Sequence, residues 1–420
     1  MIDIIGMIKK RKDIVENYLF LSLSTIFILL YPLITYPYLI KVLGQELYGV
    51  ILTSQMLAAY ASILVNFGTN HAVTRHVSFN RNDQKILSSI LCNVISLRFC
   101  LFVAVFVLYF AIVLLVPMYR EYWLLFVLMY GFVSQDFLYP RFFFQGIEKM
   151  KFTSMIDIII KLVFIPLIFI MVHNPGDYLW VPIIYTFGFF ISGIVSLLLV
   201  KNKFCIQFTL PTIDGMKFYL KDSLSLFATD MVCTIKDKFS YFLIGASVGM
   251  SELVVYDLCL KLSAMVSKPF EVLASVMFPR VAQTRSIKQV YLTAVISFTS
   301  AFLLCLLINI FLDDIVAYFL CQNIDLLPIR VFLLSPIILS VSMIIANVMF
   351  VGFGYNKYLF YSIVVTTIGY LTALLFFFFT GQLNSIMSFV YIAVFSYTVE
   401  LIYRFIKAKQ ISGKLKATIV

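Results

Sequence analysis

The stretch Ser154–Pro166 reads SMIDIIIKLVFIP and sets an aspartate and a lysine, four residues apart, into an otherwise apolar run. A spacing of four puts Asp157 and Lys161 on one helix face with the acid nearer the N-terminus, the better orientation for an ion pair. The run continues in both directions, from about 152 to 172, and so reaches the roughly 20 residues that a helix needs to cross a bilayer core. The pattern returns in YDLCLKL at Tyr256–Leu262, with Asp257 and Lys261. These charges ask what an ionic pair is doing inside a membrane helix.

The rest of the chain supports the membrane reading. With 62% hydrophobic and 13% charged residues among 420, and a mean hydropathy of +1.00, the composition excludes an ordinary soluble domain. Taking polar and Gly/Pro breaks as boundaries predicts twelve spans: 17–40, 47–67, 86–116, 122–144, 152–172, 178–200, 218–248, 251–278, 290–312, 326–353, 358–380 and 386–406. The fold class is therefore an all-α integral membrane protein. The first run follows KKRK at Lys9–Lys12 but has no small-residue cleavage site, so it reads as a retained helix rather than a signal peptide.

A net charge of +11 would suggest nucleic acid in a soluble protein, but here basic residues are first assigned to loops. Alternating the spans puts 22 of the 32 Lys and Arg on the side of the N-terminus, among them Arg75, Arg81, Lys149, Lys201, Lys221, Lys357 and Arg404. The other side holds only Lys41, Arg120 and Arg330. This asymmetry predicts both termini in the cytoplasm and excludes a nucleic-acid partner. KNKFCIQFTLPTIDGMK divides the spans six and six, giving an N-terminal lobe over 1–200, a cytoplasmic linker over 201–217 and a C-terminal lobe over 218–420.

With Lys221, Arg330 and Arg404 near span ends assigned to the loops, seven basic residues are left inside the spans: Arg98, Arg141, Lys161, Lys236, Lys238, Lys261 and Lys268. So are the acids Asp136, Asp157, Asp230, Asp237, Asp257 and Glu271. Each costs roughly 2.5–3.5 kcal/mol at a helix centre on insertion scales, so they must face each other or water. Asp157–Lys161, Asp257–Lys261 and Lys268–Glu271 are spaced to neutralise one another locally. Lys236 and Lys238 diverge by about 200° around their helix, so one can face a cavity while the other contacts a neighbour. Arg98 and Arg141 have no acid at helical spacing and are the foremost candidates to meet an anion. Lys161, Lys236, Lys238 and Lys261 complete a candidate cationic cavity, and Asp157, Asp230, Asp237 and Asp257 are candidates to bind a coupling proton or Na⁺. Seven scattered cysteines and three histidines, His71, His76 and His173, support no metal centre, disulfide framework or catalytic triad.

From Tyr139 the chain reads YPRFFFQGIEKMKFTSMIDIIIKLVFIPLIFIMV, and the combination of Phe144, Gln145, Gly146, Glu148, Lys149 and Met150 resembles the polysaccharide-exporter branch of the MOP superfamily. VLGQELYGVI, with Leu43, Gly44, Tyr48 and Gly49, is similar to that family's entry into its second helix, and PRVAQ from Pro279 to the end of its eighth. The resemblance is greatest to the O-antigen (Wzx-type) flippases and extends over chain length, helix number and the six-plus-six division. It implies a MATE-like fold in the bacterial inner membrane, no cofactor, and a non-enzymatic flippase of undecaprenyl-pyrophosphate-linked oligosaccharide working by alternating access. It implies as partners the lipid-linked oligosaccharide, membrane lipids, a polysaccharide polymerase and a chain-length regulator. Physical chemistry agrees, because a pyrophosphate and its sugars need a polar route while the lipid tail stays in the bilayer. The alternatives are an exporter of another lipid-linked polysaccharide unit, a MATE-type multidrug exporter and, less well matched, a membrane polysaccharide polymerase.

Overall fold

The computed structural model describes residues 23–419 apart from 26, 28, 29 and 323; the side chains of 233, 235–237, 279, 280 and 414–419 lie outside that description. The KKRK cluster and the start of the first predicted span therefore fall outside it as well. All regular structure among the described residues is helical.

Nine of the described helices are long and apolar enough to cross a membrane, so the protein is a multi-pass membrane protein. The three predicted spans outside those nine differ for two physical reasons. The span at 122–144 is broken into a helix at Trp123–Tyr130, a 3₁₀ turn at Gly131–Val133, a helix at Ser134–Leu138 and another at Arg141–Gly146. Pro140 interrupts the last two, since proline disfavours helical geometry in the residue before it. The spans at 218–248 and 251–278 are single helices of 35 residues each, and they carry the dense charges Asp230 and Lys238 in one and Asp257, Lys261, Lys268 and Glu271 in the other.

The chain forms two compact units, one up to Thr234 and one from Ile235. The first contains α1 (Leu23–Leu43), α2 (Gln45–Asn66), α3 (Thr69–Phe79), α4 (Gln84–Leu115) and α5 (Pro117–Glu121). It continues with α6 (Trp123–Tyr130), α7 (Ser134–Leu138), α8 (Arg141–Gly146), α9 (Lys151–Met171), α10 (Trp180–Lys203) and the first part of α11 (Ile213–Ser247). Local chemistry sets the joints. Asp83 caps α4 by accepting from the N–H groups of Lys85 and Ile86. Gly68, with φ +68°, turns the chain from α2 into α3.

The core of this unit is built on the family-like motif. Phe142, Phe143 and Phe144 are buried against Val73 and Val77 of α3, Leu91 and Val94 of α4, and Val200 of α10. Gly146 is required because a Cβ there would sit 2.5 Å from a Val77 methyl. The stretch expected to link two lobes is fastened to this core. Ile206 is buried in it, Ser88 Oγ donates to the Gln207 carbonyl, and the Thr212 N–H donates to Asn93 Oδ1 at 2.7 Å. The two compact units meet in sequence within α11, at Thr234 and Ile235.

The second unit holds the rest of α11, α12 (Met250–Thr284), α13 (Ile287–Ile310), α14 (Leu312–Leu320), α15 (Leu327–Phe332) and α16 (Leu334–Met343). A π-helix follows at Ile344–Val351, then α17 (Asn356–Phe379) and α18 (Ile386–Ile419). Its core joins Ala274, Val290, Ile344, Val348, Phe350 and Ala408.

Candidate functional site

In the first unit the two predicted arginines divide into a sealed one and an accessible one. Arg98 is 1% exposed. Its Nε donates to Thr69 Oγ1 at 2.7 Å, one terminal nitrogen to the Asp136 carbonyl at 2.8 Å, and the other to Asn70 Oδ1 at 2.9 Å. The Phe142 ring lies 5.0 Å beneath the guanidinium. Arg98 thus fastens α3, α7 and α8 to α4, and an anion would have to displace several hydrogen bonds to reach it.

Arg141 is placed differently. Its side chain is 49% exposed, stacks over the Tyr139 ring at 4.9 Å and lies 3.5 Å from Asp157. The predicted Asp157–Lys161 pair is therefore replaced by a longer-range one, Asp157–Arg141. Lys161, one turn further along α9, makes no ion pair within 4.0 Å among the described residues. Arg141 reached Asp157 because the break at Tyr139 and Pro140 swings α8 back onto α9, and helical spacing within one helix carries no signal of that.

Beside this cluster lies a cavity of about 210 Å³ lined by Ser62, Ile63, Asn66, Asp230 and Thr234. Ser62 donates to Asp136, which lies within electrostatic reach of both Arg98 and Arg141. Asp136 was among the intramembrane acids but outside the predicted ion-coupling set; its contact with Ser62 of α2 is a tertiary fact. The cavity offers a carboxylate, an amide and two hydroxyls, groups suited to hydroxyl-rich or cationic ligands.

In the second unit the expected i,i+4 pair forms. Asp257 is buried, accepts from Lys261 Nζ, and accepts from the Tyr241 hydroxyl at 2.8 Å. Lys268 pairs with Glu271 at 2.7 Å. Lys238 is half-buried on α11. The side chains of Lys236 and Asp237 lie outside the described residues. A cleft next to Asp257 is walled by Ser240, Tyr256, Tyr370 and Tyr397, with Ser240 Oγ 2.8 Å from the Tyr370 hydroxyl.

One charged pair in this unit was not anticipated. Glu400 and Arg404 lie near the end of the last predicted span and outside the set of intramembrane charges expected from the sequence. They face each other in the core at 7% and 6% exposure, with Arg404 Nη1 2.6 Å from Glu400 Oε1. Their i,i+4 spacing was a readable signal; the helix simply runs on to Ile419, so Arg404 is interior rather than terminal.

Comparison with known proteins bears on the fold and the family. Two relatives named as O-antigen transporters match, one of Escherichia coli (strain K12) at 24% identity over 62% of this chain and 63% of its own, and one of Shigella dysenteriae at 29% over 42% and 44%. The matched part thus spans less than two thirds of either relative. Among solved structures, a lipid II flippase, MurJ, in an inward closed conformation aligns with a TM-score of 0.74 over 93% of this chain and 87% of its own, at 13% identity. An inward-facing multidrug-resistance MATE family transporter of the MOP superfamily aligns with a TM-score of 0.70 over 93% and 96%, also at 13%. The fold is therefore of the MATE and MurJ kind. The profile described as polysaccharide biosynthesis protein matches residues 14–285, well over half of the chain, and the chain belongs to that family.

Proposed function

We propose that the protein is a flippase that carries an undecaprenyl-pyrophosphate-linked oligosaccharide, of the O-antigen repeat-unit class, from the cytoplasmic to the periplasmic leaflet of the bacterial inner membrane. The observation that carries this reading is the accessible cationic face formed by Arg141 with Lys161 next to it on α9, in a chain of the polysaccharide biosynthesis family. Arg141 presents a planar fork suited to phosphate oxygens, and Lys161 adds a mobile positive charge. Asp157 holds Arg141 in place without enclosing it. The polar cavity at Ser62, Asn66, Asp230 and Thr234 is suited to sugar hydroxyls or to a coupling proton or Na⁺. No chemistry on the substrate is required of any residue, so the protein acts as a transporter and not an enzyme.

This reading includes twelve spans with both termini cytoplasmic, α11 and α12 crossing the membrane with their charges turned from lipid, and alternating access between two lobes. It also includes a polysaccharide polymerase and a chain-length regulator as downstream partners. Reconstitution in liposomes with a fluorescent undecaprenyl-pyrophosphate-linked oligosaccharide tests it. Exchange between leaflets that needs the protein, and that fails in Arg141→Gln, is expected. Equal exchange by parent and variant would remove the anion role of this face, and export of cationic drugs instead would favour the multidrug reading.

A further inference from the structure

The buried pair on α18 has a neighbour that gives it a second meaning. Besides Glu400, Arg404 engages two other helices: Nε donates to Ser362 Oγ of α17 at 3.1 Å, and Nη1 donates to the carbonyl of Ser342 in α16 at 3.1 Å and to its hydroxyl at 2.9 Å. Thr366 Oγ1 lies 3.0 Å from the second oxygen of Glu400. Two residues beyond Ser342 the α-helix gives way to the π-helix of Ile344–Val351. A π-helix closes its hydrogen bonds from i to i+5, is rare, and persists where its surroundings favour it.

Arg404 therefore donates to a backbone carbonyl at the point where the ladder changes from four-residue to five-residue steps. Within the π stretch, Ile344, Ile345, Ala346, Val348, Met349 and Phe350 are buried, while Asn347 is exposed. Removing the extra residue from the turn would rotate the chain beyond it by roughly 100° and advance it by about 1.5 Å. The following loop can absorb that movement, since Gly354 stands at φ +83° just before α17.

We propose that Glu400 and Arg404 form a latch that holds Ile344–Val351 in the π register, and that opening the latch lets this stretch return to the α register and turns Asn347 away from the surface. The latch is independent of which substrate the protein carries.

Hydrogen–deuterium exchange of the full chain in lipid nanodiscs tests the proposal. Arg404→Lys keeps the charge opposite Glu400 but cannot span the Ser342 and Ser362 acceptors together. The expected result is an exchange rate over residues 342–355 raised about tenfold, with α13 and α17 unchanged, because each passage between registers opens backbone bonds. Unchanged exchange over 342–355, or an equal rise throughout α16–α18, would overturn the latch. If Arg404→Lys does not fold, the Glu400→Gln/Arg404→Gln double variant leaves no lone buried charge and is read by the same criteria. If that too fails, Ser342→Ala, which removes one acceptor, is expected to give a smaller rise in the same window; no rise there would count against the proposal.

Discussion

Arg141 of α8 and Asp157 of α9 approach to 3.5 Å, while Lys161, four residues beyond Asp157, makes no ion pair within 4.0 Å among the described residues. Arg141→Gln should accordingly stop lipid-linked sugar export while leaving the amount of folded protein in the membrane unchanged, because half of its side chain is exposed and its surface contacts hold little stability. Surface polysaccharide and membrane protein level, measured together, decide this. Normal polysaccharide would exclude Arg141 from the substrate path.

Arg98 should behave in the opposite way. Arg98→Gln leaves the amide oxygen of Asn70 and the Asp136 carbonyl without their buried donor, at a cost of about 1–3 kcal/mol for each group left unsatisfied, while the Thr69 hydroxyl still donates to the Asn66 carbonyl. A lower unfolding temperature and a reduced membrane level are expected. An Arg98 variant that is fully stable yet inactive would place this residue on the substrate path instead.

At Gly68 a side chain is doubly unfavourable. Its φ is +68°, and a Cβ would lie 2.5 Å from the Phe227 backbone nitrogen and 2.9 Å from the Ser223 carbonyl oxygen. Gly68→Ala should destabilise the first unit by more than the roughly 1 kcal/mol of backbone strain alone, since backbone atoms cannot yield as a side-chain tip can. Thermal unfolding of the purified variant measures this; an unchanged midpoint would contradict the close approach.

Two exposed cysteines report on topology. Cys205 lies in the stretch between α10 and α11, and Cys321 directly after α14. Under the twelve-span arrangement they face opposite sides of the membrane. A membrane-impermeant maleimide applied to intact cells should label Cys321 and spare Cys205, with Cys321→Ser and Cys205→Ser as controls. Labelling of both from outside would break the proposed orientation.

Tyr241→Phe removes the hydroxyl that donates to Asp257 at 2.8 Å and should cost about 1–2 kcal/mol, read as a lowered unfolding midpoint. Lys261 still holds the carboxylate, so export should persist. Lost export without lost stability would move Asp257 from a structural pair into the transport cycle.

The hydrophobic runs, their lengths and the basic asymmetry were legible in the sequence because each is a property of contiguous residues. So was the Asp257–Lys261 pair, which depends only on the turn of one helix. The family-like motif was also visible, although its physical content was not: Phe142, Phe143 and Phe144 are core residues, and Gly146 is the point where α8 closes on Val77. In the candidate site, Arg98 and Arg141 looked alike in the sequence, each an arginine without an acid at helical spacing. Burial separates them, and burial depends on segments far away in the chain.

The sequence by itself determined that this chain lives in a membrane, that its helices carry charges needing partners, and which family it resembles, since composition and periodicity are local and additive. Only the tertiary structure decided which partners those charges have. Asp157 turned from Lys161 to Arg141 because the break at Pro140 brings α8 against α9, and Arg404 became interior because α18 continues past it beside Ser342 and Ser362. An ion pair forms where chain path and burial bring opposite charges together, and neither can be counted along a single helix.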